Sequence, residues 1–249
     1  MYVLLLISTA WWFWAALVLF VGSLLLTLVV PVWIVPLFYR LVPLEDAALK
    51  ERLLDLARRV GVAVIGVWVA DQSRKSRTAN AALTGLANTR RIILFDTLVT
   101  HFTPDEIESV LAHELGHHVH GDVRRGLLAQ GALLLATLWA ADRLLSIGSD
   151  RFGFQGPADP AGLPLLALIL LLLGLVAAPL TNGFSRWIER QADDFALATT
   201  KNPEAFISAM DRLASLNLAE RRPHRVKEFF LYSHPSINRR IDMARRMPA

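Results

Sequence analysis

Three long apolar segments constrain the fold most strongly, because together they indicate a membrane protein. Residues 1–39 contain no charged side chain, and two further uncharged runs cover residues 126–141 and 163–180. A helix needs about 20 mainly apolar residues to cross the hydrocarbon core of a bilayer. The first run is too long for the apolar region of a signal peptide and lacks its basic start. We therefore expect residues 1–39 to form a membrane anchor.

Two of these segments leave an alternative open. Trp12 and Trp33 lie roughly 32 Å apart along a helix, which fits one span between two aromatic belts. A tight hairpin turning at Gly22-Ser23 is the alternative for this segment. Residues 126–141 are short for a span, and there the alternative is a buried core helix.

The distribution of basic residues predicts the topology. Lysine and arginine concentrate in residues 40–125 and 182–249, whereas the predicted loop at residues 146–162 holds one arginine. The positive-inside rule then places both large segments in the cytoplasm and the N-terminus outside, which three spans satisfy. The predicted regions are the anchor 1–39, a catalytic subdomain 40–125, a transmembrane hairpin 126–181 with the external loop 146–162, and a C-terminal helical subdomain 182–249.

Composition excludes several kinds of site. The chain contains no cysteine, so disulfides, thiolate zinc sites and cysteine nucleophiles are excluded, and a metal must be held by histidine and carboxylate. The net charge of +4 is modest. The basic run Arg74-Lys75-Ser76-Arg77 is short and lacks interleaved aromatic residues, so a nucleic-acid partner is not expected.

The segment before the central motif predicts a small sheet. Residues 40–60 are polar and have helical periodicity. Residues 62–69, 79–86 and 91–95 are rich in apolar or β-branched side chains and are separated by turn residues, including Ala87-Asn88-Thr89. We expect a helix followed by a sheet of about three strands.

A strong helix start follows the predicted sheet. Thr103 can cap a helix, Pro104 suits its first position, and Glu106 completes a capping box. The helix that begins here contains His113-Glu114-Leu115-Gly116-His117, the pattern H-E-x-x-H.

The H-E-x-x-H pattern suits a metal-dependent hydrolase. Residues four apart share one face of a helix, so His113 and His117 can direct two imidazoles at one cation. Glu114 can then take a proton from a metal-bound water. Chance occurrence is the rival interpretation, because so short a pattern carries little information by itself.

Glu189 is the best candidate for a third ligand. His117 precedes the second apolar run by nine residues and Glu189 follows the third by nine. If those runs pair as an antiparallel hairpin, both side chains lie roughly 13 Å above it. Asp193 would accept the other ring N–H of a ligating histidine. The alternative is that Glu189 pairs with Arg186 or Arg190 on a solvated helix.

Several motifs together resemble a known family. The H-E-x-x-H pattern with Glu189 and Ala192-Asp193 is similar to the membrane zinc metallopeptidases of the HtpX heat-shock protease and type I CAAX prenyl endopeptidase family. The resemblance covers about residues 40–245. It extends to two further elements, Asn80-Ala81 with Gly85 and the run 91–98 as the family's sheet edge, and Ser233-His234-Pro235 with Arg240 as its C-terminal element.

The resemblance implies roles for individual residues. It implies one Zn²⁺ per chain on His113, His117 and Glu189, with Glu114 as the general base. His234, which from its polar turn alone would be a surface histidine, becomes a transition-state or substrate contact. Further substrate contacts would be made by Arg240 and by the backbone around Asn80 and Ala81, which would hold an extended peptide by strand addition.

The predicted fold class is a mainly α integral membrane protein, with about three transmembrane helices and a cytoplasmic α+β zincin-type metalloprotease domain that contains a small sheet. The predicted function is zinc-dependent hydrolysis of membrane or membrane-associated proteins at the cytoplasmic face of a bacterial plasma membrane. The partners are a protein or peptide substrate and membrane lipids, and the oligomeric state stays open. Two alternatives are an inactive, membrane-anchored binding protein of this fold and a zinc hydrolase of a non-peptide substrate.

Overall fold

The computed structural model describes residues 2–30, 35–85 and 89–246. Trp33 and the predicted turn residues Ala87 and Asn88 lie outside them. The chain divides into two compact units. The apolar unit comprises Met1–Leu28 and Val123–Thr181, and the mixed unit comprises Val29–Asp122 and Asn182–Ala249.

The described residues form eleven α-helices and four strands. In chain order they are α1 (Tyr2–Ile7), α2 (Trp11–Val29), α3 (Val35–Phe38), β1 (Leu41–Pro43), α4 (Ala47–Arg59), β2 (Val67–Ala70), β3 (Ala81–Thr84), β4 (Arg91–Phe95), α5 (Asp96–His101), α6 (Pro104–His120), α7 (Asp122–Phe152), α8 (Leu163–Thr200), α9 (Pro203–Leu216), α10 (Arg225–Leu231) and α11 (Ile237–Ala244).

Three helical segments are long and apolar enough to cross a membrane, the number that the sequence predicts. They are Trp11–Val29, Asp122–Phe152 and Pro160–Thr200, with mean hydropathies of 2.3, 1.3 and 2.7. Helix α2 continues through Gly22-Ser23, so the hairpin alternative for the first segment is wrong.

The predicted external loop 146–162 is wrong over its first seven residues, because α7 continues to Phe152. The hydroxyl of Ser146 donates to the Asp142 carbonyl one turn earlier, and Ser149 is buried. Packing within the apolar unit thus outweighs the weak helix propensity of serine and glycine. The Trp11 indole N–H also donates to the buried Asp142 carboxylate at 2.7 Å.

The mixed unit contains a four-stranded sheet in the order β1-β2-β4-β3. Strand β2 runs parallel to β4, whereas the β1–β2 and β3–β4 pairs are antiparallel. Strand β1 is an addition to the three strands predicted, and the helix assigned to residues 40–60 begins only at Ala47. Pro43 can end such a strand because an edge position demands no donor from it. Strand β3 forms the opposite edge.

Helix α6 begins as its sequence predicts. The Thr103 hydroxyl accepts from the Glu106 N–H, and the Glu106 carboxylate accepts from the Thr103 N–H. The helix ends at Gly121, which adopts a left-handed conformation with φ of +67°. Its apolar side packs into the core of the mixed unit, whose fully buried residues include Leu53, Leu56, Ile92, Leu94, Leu98, Leu111, Leu115 and Phe206.

Glu106 also ties α6 to α9. Its carboxylate is buried and accepts hydrogen bonds from the Ser208 hydroxyl and from Arg212 Nε at 2.8 Å. Burial alone would raise the pKa of Glu106, but the hydrogen bonds from Ser208, Thr103 and Arg212 outweigh it and lower the pKa below its ordinary value. The charged form therefore stabilises the fold.

The substitution Glu106→Gln is expected to cost about 1–2 kcal/mol of stability at pH 7. Because the folded-state pKa of Glu106 is lowered, its contribution is present above the unfolded-state value of about 4.3 and is lost as the pH falls through the folded-state value. Thermal unfolding should therefore show a smaller stability difference between Glu106→Gln and wild type below pH 4 than at pH 7. The exposed Glu45→Gln control should match wild type at both, and a constant Glu106→Gln deficit would contradict the assignment.

Candidate metal centre and active site

Three side chains converge on one point in the mixed unit. Ligand atoms of His113 and His117 on α6 and of Glu189 on α8 all lie within 4.8 Å of one another. The two Nε2 atoms are 3.1 Å apart. Glu189 Oε2 lies 3.4 Å from His113 Nε2, and Glu189 Oε1 lies 3.6 Å from His117 Nε2.

The chemistry of this donor set fits a metal ion. Glu189 Oε2 is buried and accepts no hydrogen bond, a costly state for a carboxylate oxygen unless a cation compensates it. The Nε2 atoms of the two imidazoles also face each other, so a single cation can bind both. Two histidines and one glutamate form a known catalytic zinc set, which leaves a fourth position open.

A carboxylate lies behind each histidine. His113 Nδ1 is 2.8 Å from Asp193 Oδ1, and His117 Nδ1 is 2.9 Å from Asp122 Oδ2. Each contact orients its ring so that Nε2 faces the centre. Asp193 was predicted for this position, whereas Asp122 was missed.

Arg240 holds Asp193 from the other side. Its Nε and Nη2 donate to the two oxygens of the Asp193 carboxylate at 2.8 and 2.5 Å, and its guanidinium lies 5.9 Å from the Phe206 ring centre. Both residues are buried. The pair neutralises two charges that would be unfavourable alone.

Burial and neighbouring charges shift the pKa values of several groups at the centre, among them His113 and Glu114. Burial opposes the charged form of His113, but the contacts with Asp193 and Glu189 outweigh it and raise the pKa of His113 to about 9. Burial raises the pKa of the Glu114 carboxyl, against the attraction of His113 and His117. A raised pKa makes Glu114 a better proton acceptor.

A close helix crossing makes this convergence possible. A Cβ at Gly116 would lie 3.2 Å from Ala192 Cα and 3.1 Å from the Phe195 ring. Glycine at the second x of H-E-x-x-H therefore lets α6 approach α8. The two histidines of α6 lie on either side of Gly116 in sequence, and Glu189 and Asp193 lie on either side of Ala192.

The centre opens into a cavity of about 530 Å³. Glu114 is half-buried in its wall. His234 Nε2 lies 3.1 Å from Glu189 Oε1, and the His234 side chain is 60% exposed. Apolar side chains contribute another part of the lining, namely Val110, Met210, Leu213 and Ile237.

The edge strand β3 begins beside this cavity. Asn80 lines the cavity, and its carbonyl accepts from the Phe95 N–H of β4. Alternate residues of an antiparallel edge strand direct their backbone groups outward, which assigns Ala81 and Leu83 to the open side. The Ala81 N–H is taken by the Asn80 side chain.

Asn217, at the end of α9, holds the segment just before β3. Its Oδ1 accepts from the Ala79 N–H at 2.9 Å, and its Nδ2 donates to the Ala79 carbonyl at 3.3 Å. The amide thus pairs with the backbone as a neighbouring strand would. Asn217 was not predicted from the sequence, because its partner Ala79 is 138 residues away.

The structure thus brings most of the predicted site residues to one cavity. Those that line it are His113, Glu114, His117, Glu189, His234, Arg240 and Asn80. Asp193 lies behind His113, and Ala81 follows Asn80. Arg240 was predicted to contact substrate. In the structure it is 9% exposed, and two of its N–H groups donate to Asp193. Asp122 could have been identified from its position, because it is a carboxylate five residues after His117 and directly follows Gly121, where the helix ends.

Comparison with known proteins gives consistent relatives. The profile of Peptidase family M48 matches residues 43–247. The chain is 32% identical to "Uncharacterized metalloprotease YhfN" of Bacillus subtilis, over 95% of this chain and 56% of that protein. It is 34% identical to "CAAX prenyl protease 1 homolog" of Dictyostelium discoideum, over 75% of this chain and 45% of that protein. The chain thus spans about half the length of these curated relatives.

Two further matches extend the comparison. The chain is 31% identical to "Protease HtpX" of Pseudomonas entomophila over 80% of this chain and 70% of that protein. The crystal structure of S. mikatae Ste24p superposes with a TM-score of 0.80 at 29% identity, over 94% of this chain and 58% of that chain. This likeness confirms the predicted class, a mostly helical membrane protein with a small sheet.

Replacing Asp193 or Asp122 with asparagine is expected to weaken zinc binding about 10- to 100-fold, because each carboxylate orients one histidine. Competition with a chromogenic chelator measures the affinity, and circular dichroism checks the fold. Asp194→Asn, at an exposed neighbouring carboxylate, is the matched control and should bind like wild type. Unchanged affinity in both test variants would refute the orienting role.

Proposed function

This chain belongs to peptidase family M48, and from that premise we propose that it is a membrane-embedded, zinc-dependent endopeptidase. The main support is that two imidazoles and one carboxylate converge within 4.8 Å of one another, beside the half-buried Glu114. His113, His117 and Glu189 would hold the ion. Zinc bound there supplies a Lewis acid that polarises the scissile carbonyl and acidifies water.

Glu114 is the proposed general base. It follows His113 directly on α6, and its side chain lines the same cavity as the ligands. Its raised pKa suits a group that takes a proton from the attacking water and passes it to the leaving amine nitrogen. One carboxylate can serve both steps, because the first step protonates it and the second returns it to its charged form.

His234 is the proposed hydrogen-bond donor to the substrate carbonyl. It lies beside Glu189 yet stays largely exposed to the cavity, so it can reach a peptide that occupies the site. A donor directed at the oxygen stabilises the negative charge that develops there as water attacks. Arg240 would support this geometry indirectly, through Asp193.

The edge of β3 is the proposed binding site for the peptide backbone. The Ala81 carbonyl and the backbone groups of Leu83 are assigned to the open side, where an extended peptide can add as a further strand, whereas the Ala81 N–H is already bonded to the Asn80 side chain. Asn80 lies where this edge meets the cavity. A peptide held here would pass the ligand cluster, and its side chains would meet the apolar lining near Val110.

The proposed substrates are membrane or membrane-associated proteins. The chain combines this site with three apolar segments long enough to cross a bilayer, and its relatives include proteins named CAAX prenyl protease 1 and HtpX. The basic residues flanking the apolar runs favour a site facing the cytoplasm, in a bacterial plasma membrane.

Glu114→Gln is expected to lower the turnover number for a protein substrate by about 10²- to 10⁴-fold, because the amide cannot accept the proton. Zinc content should stay at one ion per chain. Cleavage is followed in detergent solution by gel densitometry and zinc by elemental analysis. Glu204→Gln, on the exposed start of α9, should cleave normally. Wild-type turnover in a zinc-loaded Glu114→Gln protein would refute this mechanism.

Asn217→Ala is expected to raise KM roughly tenfold with a smaller effect on kcat, since two hydrogen bonds that position the substrate edge are lost. Asn217→Asp keeps the acceptor for the Ala79 N–H but cannot donate, so its KM should be intermediate. Steady-state cleavage of a fluorogenic peptide measures both constants. A fall in kcat alone, or equal KM values in all three proteins, would contradict this positioning role.

A further inference from the structure

A second cleft, of about 560 Å³, lies in the mixed unit and is lined by more arginines than carboxylates. Its walls include side chains from the C-terminal part of α8, from α11, and from Arg246 just after the end of α11. Four arginines and two aspartates provide its charged groups, namely Arg190, Arg239, Arg240, Arg246, Asp193 and Asp242.

Four arginines against two aspartates leave a formal excess of two positive charges in the lining. Asp193 is already shared between Arg240 and His113. Asp242 contacts Arg245 at 3.5 Å, a residue that does not belong to the cleft lining. The acidic groups near the cleft are therefore engaged, while the arginines present several N–H donors to solvent.

The arginines differ in how firmly they are held. Arg240 is buried and fixed by its two hydrogen bonds to Asp193, which compensates its charge, so it forms a rigid wall of the cleft. Arg239 is 54% exposed and reaches Glu228 through one nitrogen at 3.4 Å. Arg190 and Arg246 are exposed, and Arg190 lies close enough to the Asp194 carboxyl to act on it electrostatically.

We propose that this cleft binds a phosphate group, carried by an anionic phospholipid headgroup or free in solution. Guanidinium groups match phosphate oxygens with paired N–H donors, and arginines from two helices can contact different oxygens of one phosphate. Met243 and Pro235 add apolar surface to the lining, which suits the glycerol part of a headgroup. In sequence, Arg190 lies ten residues after the apolar run that ends at Leu180, so the part of α8 that lines the cleft continues a helix able to span a membrane.

The cleft is distinct from the peptide cavity but shares Arg240 with it. A phosphate at Arg240 contacts the residue that holds Asp193, and Asp193 contacts His113. The site therefore goes beyond the proposed peptidase chemistry. Its occupancy can be measured without any cleavage assay.

The test compares the thermal unfolding of three full-length proteins in a nonionic detergent. They are wild type, the cleft variant Arg190→Gln/Arg246→Gln, and the control Arg222→Gln/Arg225→Gln, which changes two exposed arginines outside the cleft. The probes are short-chain phosphatidylglycerol against short-chain phosphatidylcholine, and inorganic phosphate against chloride at equal ionic strength.

A ligand at a hundredfold excess over its Kd should raise the unfolding temperature of wild type and control by about 5–10 °C. The cleft variant should shift by less than half as much. A response to phosphatidylglycerol alone assigns a lipid headgroup, and a response to both anionic probes assigns phosphate itself. Equal shifts in all three proteins, or no shift in wild type, would overturn the proposal. Glu114→Gln should respond like wild type, so failure of the peptidase proposal is separable.

Discussion

The candidate metal site depends on holding ligand atoms of three side chains from two helices within 4.8 Å of one another. Polar groups that meet in a buried place are costly unless each is satisfied. The close crossing of α6 and α8 at Gly116 and Ala192 brings the groups together. Asp193 and Asp122 then fix the two rings from behind. A larger residue than Gly116 would press on Ala192 and Phe195, and loss of either carboxylate would remove the contact that orients its histidine.

A line of alternating charge extends away from this centre. His113 contacts Asp193, Asp193 is held by Arg240, and Arg240 forms a wall of the cationic cleft. Each buried charge along the line has an opposite partner, which limits the desolvation cost. The same arginine thus serves the ligand set on one side and the proposed phosphate site on the other. Such sharing gives an anion in the cleft a direct physical connection to the metal centre.

The sequence predicted the parts of the site that have a regular spacing. His113 and His117 follow from the helical period, the start of α6 from its capping box, and Glu189 from its distance to an apolar run. Asn217 was not predictable, because its partner Ala79 is distant in sequence and their contact depends on tertiary packing. Asp122 depends on the direction of the chain after Gly121, which a left-handed residue decides.

The errors in the fold have similar causes. Strand β1 is three residues long and shows no alternation that could identify it, so its existence depends on pairing with β2. Residues 146–152 have loop-like composition, but burial within the apolar unit keeps them helical. In both places, contacts distant in sequence overrode a local preference.

X-ray absorption at the zinc edge tests the central claim most directly. If His113, His117 and Glu189 hold the ion, the spectrum should show one zinc per chain. Its ligands should be two imidazole nitrogens at about 2.0–2.1 Å and two oxygens, one from Glu189 and one from water. In Glu189→Gln the carboxylate contribution should disappear while both imidazoles remain. A wild-type spectrum without two imidazole ligands, or a Glu189→Gln spectrum identical to it, would contradict the account.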